Sequence, residues 1–179
     1  LPNVKTVRIT KGTAVHSFGE GSSEIIIKDR LRGWYPKKSV ESIYHGLASI
    51  GGILVDYAHH GPTPGSRNWL RGNEARYYLR SLVKDEIDAG NIPPHLVLRA
   101  HYHTFVEEFL ATRVNGTRYP SWINILPSFC GISDYSRKYA RSVSKITMGM
   151  VVYEIVNGKL LDTYPMFETL DIRTKEELA

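Results

Sequence analysis

The residues of this chain best suited to chemistry are its histidines. Four of the seven fall in two tight groups, His59-His60 and His101-Tyr102-His103. Neutral imidazole is the commonest protein ligand for a metal ion. Two imidazoles two residues apart, on a strand end or a tight loop, can be aimed at one site, or can each take one of two neighbouring ions. The single cysteine, Cys130, excludes a disulfide framework and any thiolate zinc knuckle within the chain. His16, His45 and His95 lack such company. His45 falls in an expected helix and His95 follows Pro93-Pro94 at a strand start, so both read as structural; His16, near a strand end, reads as a residue of the site rim.

Both histidine groups follow short apolar runs. Ile53-Leu54-Val55-Asp56-Tyr57-Ala58 and Leu96-Val97-Leu98 have the character of central strands buried on both faces. Between them, apolar residues at 75, 78, 79, 82, 83 and 87 have helical spacing over Asn68–Ala89, closed by Gly90-Asn91. One crossover helix is the connection that parallel strands need. If the two strands are neighbours, His59 and the 101/103 pair converge at their carboxyl ends, where open α/β sheets bind ligands.

The flanks read as strand-rich. Strands are expected at Val4–Ile9, Thr13–Phe18 and Glu24–Lys28, with a turn at Gly19–Ser23. Gly33-Trp34-Tyr35-Pro36 breaks the chain, and Ser39 is the expected N-cap of a helix through about Ile50, ended by Gly51-Gly52. Towards the C-terminus, Thr104–Val114 leads to an Asn115-Gly116 turn and a short strand at Trp122–Leu126. Ile146–Val156 and Lys159–Phe167 flank Asn157-Gly158, the best hairpin signal in the chain. Asp134–Arg141 reads as a polar turn or loop, and the charged tail as frayed.

With 179 residues, 42% hydrophobic and 23% charged, the composition is that of one globular domain and excludes collagen, coiled coil and a disordered chain. No apolar run is long enough for a membrane-spanning helix, and the cysteine usage points to a reducing, cytoplasmic setting. Net charge is +5 and uneven: residues 1–145 carry 20 Lys+Arg against 12 Asp+Glu, and residues 146–179 carry 3 against 6. A basic body favours polyanionic partners such as nucleic acid or phosphorylated ligands, although no dense basic run or RNA-binding aromatic motif is present.

Ala58-His59-His60-Gly61-Pro62 resembles a histidine motif of the calcineurin-like metallophosphoesterases, and Ala100-His101-Tyr102-His103 resembles their Gly-His-x-His motif, with Ala100 in place of Gly. Asn124-Ile125-Leu126-Pro127-Ser128 resembles their Asn-x-Gly-Ser segment. The likeness covers roughly residues 12–170, but only the C-terminal half of the family pattern. It implies an α/β fold, part or all of a two-sheet αββα-type sandwich with mixed sheets, over residues 1–170, followed by a charged tail at 171–179. It also implies two divalent ions (Mn, Fe, Zn or Ni). By this likeness His59 and His101 bind one metal and His103 the other. From their proximity in sequence to these ligands, Arg99, Tyr102, His60 and Arg67, the last on the Thr63–Arg67 loop, are expected to border the substrate phosphate.

The family's first-half motifs, Asp-x-His, Gly-Asp and Gly-Asn-His, do not occur here, and no bridging carboxylate is evident N-terminal to His59. Gly72-Asn73-Glu74 lies in the wrong place, and Asp56 reads as a structural contact. The expectation is therefore a metal-dependent phosphoesterase acting on phosphomono- or phosphodiesters, nucleotide or nucleic acid among them, present as the C-terminal half of its active site. Such a chain would be inactive alone, and a missing N-terminal half, a second chain or self-association would cover an open face at Ile25, Ile27, Val55 and Val97. The alternative is a non-catalytic domain of the same fold that binds protein or nucleic acid.

Overall fold

A computed structural model describes residues 3–12, 22–65, 67–130 and 144–174. The architecture is mixed α/β with mixed sheets. β1 (Thr6–Thr10) and β2 (Ser39–Ile43) run parallel, joined by a connection that contains α1 (Ser22–Trp34). After Tyr44 the chain continues as β3 (His45–Ile50), which pairs antiparallel with β4 (Ile53–Ala58). A 3₁₀ turn at Asn68–Leu70 and α2 (Asn73–Asp88) lead to β5 (Leu96–Arg99). β6 (Val106–Val114) and β7 (Thr117–Ile125) form a hairpin, as do β8 (Lys145–Val156) and β9 (Lys159–Asp171). The central sheet has the order β3-β4-β5-β7-β6, with β4, β5 and β7 parallel.

The two apolar runs are thus neighbouring parallel strands, and α2 is their crossover, as the spacing of its apolar residues requires. Strand alternation separates two cores. Val97, Ile123 and Ile125 pack with Ala75, Leu79 and Val83 of α2. Ile53, Val55 and Leu96 face the other way, with Leu98 and Trp122, onto Tyr153, Ile155 and Leu160 of the β8–β9 hairpin. Each fully buried aliphatic side chain contributes about 1.5–3 kcal/mol of transfer free energy. A polar link crosses this second layer: Tyr153 donates to Asn124 Oδ1 at 2.7 Å. Burial, and then the charge of Glu107, pushes the Tyr153 phenol far above its ordinary pKa, so it stays a donor.

Two expected elements are corrected. Residues 39–50 form strands rather than a helix, because β-branched Val40 and Ile43 lie within an alternating buried and exposed pattern, and Gly46 is a poor helix residue. Gly51 (φ 56°) and Gly52 (φ 89°) are the tight turn of the β3–β4 hairpin, not a helix end. Residues 24–28 lie in α1 rather than a strand, so three consecutive isoleucines cannot share one buried face; Ile25, Ile26 and Ile27 are 38%, 53% and 50% exposed. Of the expected open face, Ile25 and Ile27 are exposed, whereas Val55 and Val97 are core residues. β7 begins earlier than expected, at Thr117. It tolerates Pro120 because the four-residue β5 pairs only with its second half, leaving no ladder hydrogen bond for the proline to lose there. The expected strand at 13–18, His16 and the polar segment at 134–141 lie outside the described residues. No helix among those described is long and apolar enough to cross a membrane.

Candidate metal centre

β4 and β5 end side by side, and the Ala100 N–H donates to the His59 carbonyl at 3.0 Å, carrying the ladder one step past both strands. His59 and His101 consequently leave the sheet at the same end. Their rings meet with His59 Nε2 and His101 Nδ1 3.1 Å apart, a hydrogen bond that needs one of the two nitrogens protonated. His60 closes the group: its ring centroid stands 4.9 Å from that of His59 and 4.7 Å from that of His101. One nitrogen from each of the three residues lies within 4.8 Å of the other two. His60 is exposed and the other two are half-buried, so the group opens to solvent on one side.

The local backbone is shaped for this placement. Among the described residues, the non-glycine positions with positive φ are His101 (78°), His103 (51°), Asn115 and Asn157. The two asparagines sit in Asn-Gly hairpin turns, where that conformation is the norm. The two histidines have no such excuse, and each left-handed conformation costs of order 1–3 kcal/mol. Tyr102, between them, packs into the α2 core and sets its ring edge-on to His101 at 5.1 Å, which holds His101 from below. Gly61 is required next to His60: a side-chain carbon there would lie 2.5 Å from Arg99 Cγ, so only glycine lets the loop cross that arginine.

The residues named from sequence divide clearly. His59, His60 and His101 come together. His103 is not one of the three; its Nδ1 lies 3.1 Å from the Cys130 carbonyl oxygen, and its own carbonyl accepts from the Thr147 N–H. Arg99 is 1% exposed, so its guanidinium belongs to the interior rather than to a phosphate subsite. It donates to Tyr78 Oη at 2.8 Å and stands 2.5 Å from Asp56 Oδ1, an ion pair without hydrogen-bond alignment. Asp56 Oδ2 meets His45 Nε2 at 2.8 Å, so the two residues pair with each other across β3 and β4. Arg67 is exposed and lies over the Trp69 ring at 5.3 Å.

One residue near the group was not foreseen. Glu24, in the first turn of α1, accepts from the Gly12 N–H at 2.8 Å through Oε1. A side-chain carbon on Gly12 would lie 3.1 Å from that oxygen and 3.5 and 3.7 Å from Cε1 and Nε2 of His59, so the carboxylate and the imidazole edge flank one gap. Nothing local in the sequence marks this approach. It arises because β1 and β4 both end at the Tyr44 bend between β2 and β3.

The donor set fits a divalent ion. Two nitrogens bound to one tetrahedral ion at about 2.0–2.1 Å stand about 3.3 Å apart, close to the spacing seen between His59 and His101. Three imidazoles with an open side match sites that keep a coordination position for water or substrate.

No family model matches the chain, and no curated protein matches it by sequence. Among solved structures it is similar to wild-type Vps29 from Entamoeba histolytica complexed with Zn²⁺. The identity is 14%, over 81% of this chain and 74% of that one, with a TM-score of 0.40. Similarity at this level identifies neither an activity nor site residues.

Proposed function

We propose that the chain binds a divalent metal ion through His59, His60 and His101 and acts there on phosphate esters, as a metallophosphoesterase-type domain. The convergence of three imidazole nitrogens within 4.8 Å, at the carboxyl ends of adjacent parallel strands, carries the reading. Nitrogen donors favour zinc, iron or nickel over magnesium. Bound there, such an ion supplies positive charge to a phosphoryl oxygen and acidifies water. His59 and His101 are the half-buried part of the donor set, and solvent-facing His60 lies on the side from which an ester would enter. The excess of basic residues over positions 1–145 suits a phosphorylated substrate, including a nucleotide or nucleic acid. The resemblance implies a second ion as well, and three nitrogens suffice for one, so turnover by this chain alone is expected to be slow. Isothermal titration with Zn²⁺ and Mn²⁺, followed by hydrolysis of a chromogenic phosphodiester, tests the proposal. One ion bound per chain, lost in His101→Ala, supports it; no binding by the wild type would reject it.

A second reading has its own support. The outer face of the β8–β9 hairpin exposes Met148, Met150, Val152, Tyr164 and Met166 as one apolar strip, which suits a non-catalytic role in protein binding. Metal binding without any hydrolysis would favour that reading.

A further inference from the structure

Glu24 presents an oxygen that the fold leaves unused. Oε1 is held by the Gly12 N–H, but Oε2 is out of contact with solvent and has no hydrogen-bond partner. A carboxylate oxygen removed from water without a partner is costly, and in native structures an ordered water, a proton or a cation commonly completes such a group. The side of the carboxylate held at Gly12 shares its gap with the His59 imidazole edge. We infer that Glu24 is the anionic ligand of the His59–His60–His101 centre, an inference that rests on the metal reading above.

Several features converge on this role. Three neutral imidazoles bring no charge to a divalent cation, and one carboxylate oxygen supplies the missing negative charge with a hard donor. Glu24 lies in the first turn of α1, at the positive end of the helix dipole. The Gly12 bond holds Oε1 beside the gap that the His59 imidazole edge flanks and leaves Oε2 without a protein partner; Glu24 stands outside the 4.8 Å group of the three histidines, so ligation requires its side chain to swing towards them. The absence of a side chain on Gly12 keeps the gap open, since a carbon there would stand 3.1 Å from Oε1. The site would then draw on three places in the sequence: the ends of β4 and β5, and the helix that connects β1 to β2.

Cobalt(II) is the probe, because its visible absorption reports the number and type of its ligands. Titrated into the full chain, it is expected to bind once, with a spectrum of nitrogen and oxygen donors. Glu24→Gln keeps an oxygen for the Gly12 N–H and removes the charge. It should fold as the wild type does by circular dichroism, weaken cobalt binding about 10- to 100-fold and change the spectrum. A carboxylate that only ties down Gly12 predicts no change in either. Should the glutamine variant not fold, Glu24→Asp retains the charge one methylene further back, and its bound cobalt should show a shifted band and weaker binding. Wild-type affinity and spectrum in the folded glutamine variant, or failing that in the aspartate variant, overturn the assignment of Glu24 alone, provided His101→Ala has abolished binding. No binding by the wild type, or unchanged binding in His101→Ala, overturns the metal reading and Glu24's role with it.

Discussion

Replacing His101 separates two properties that the fold has placed in one residue. At φ 78° a side chain with a β-carbon is strained, by about 1–2 kcal/mol relative to glycine. His101 also offers Nδ1 to His59 Nε2 at 3.1 Å, a half-buried hydrogen bond of about 1 kcal/mol. His101→Ala loses the hydrogen bond and keeps the strain, so the metal-free protein should be destabilised by about 1 kcal/mol. His101→Gly loses the same bond and relieves the strain. It returns about 0.5–1 kcal/mol of that relief to the greater freedom of the unfolded chain. Glycine should therefore match or exceed alanine here by up to about 1.5 kcal/mol, the reverse of their order within a helix or strand. Urea midpoints of the metal-free proteins read this difference directly. With zinc at 100 times its Kd, the wild type should gain about 2.7 kcal/mol, while neither variant gains comparably. For a chain of this size that corresponds to a rise in Tm of roughly 5–11 °C. Alanine clearly more stable than glycine would refute the strain argument. A full zinc-dependent rise in both variants would refute His101 as a ligand.

Two further predictions concern the frame of the site. Burial holds the His95 imidazole below its ordinary pKa, and its Nδ1 accepts the Leu54 N–H at 3.1 Å, so the fold keeps His95 neutral while the unfolded chain takes up a proton below about pH 6.5. Its contribution is present above that pH and is lost as pH falls towards the depressed folded-state value. Urea midpoints at pH 7.5 and 5.5 should thus differ more in the wild type than in His95→Asn, whose Oδ1 can accept the same bond; equal differences would contradict this account. Asp56→Ala strands Arg99 in the interior and should cost about 3–5 kcal/mol, whereas adding Arg99→Met should recover a large part of that loss. A loss under about 1 kcal/mol from Asp56→Ala would mean that the pair contributes little beyond what Tyr78 and the Leu98 carbonyl already give the arginine.

What could be read in advance follows the range over which each signal acts. The β4–α2–β5 unit was legible because its information is local: two unbroken apolar runs, a 3.6-residue pattern between them and histidines immediately after each run. Parallel pairing then follows from the crossover, and with it the meeting of His59 and His101. The third member of the group was harder to foresee. The resemblance assigned His103 to a second ion and His60 to the substrate side; the structure brings His60 to His59 and His101, while the positive φ values at 101 and 103 turn the chain sharply and His103 Nδ1 lies 3.1 Å from the Cys130 carbonyl. The N-terminal third misled in both elements. Ile25-Ile26-Ile27 has high strand propensity yet lies in α1, and residues 39–50, where Ser39 and Gly51-Gly52 read as helix ends, pair as β2 with β1 and as β3 with β4.

That reversal also hid the carboxylate. With residues 24–28 taken as a strand and residues 39–50 as a helix, the chain offers no acidic residue near His59 and reads as half a site. Once α1 crosses from β1 to β2 and β2 runs on into β3, Gly12 lies against His59 with Glu24 across the same gap. The position of an acidic ligand thus depends on pairing between strands about thirty residues apart, which no short motif encodes. Absence of the Asp-x-His, Gly-Asp and Gly-Asn-His motifs therefore establishes only that this chain does not supply a carboxylate in that way. Whether it supplies one from α1 is decided by the charge and reach of Glu24, the two quantities that the glutamine and aspartate substitutions vary separately.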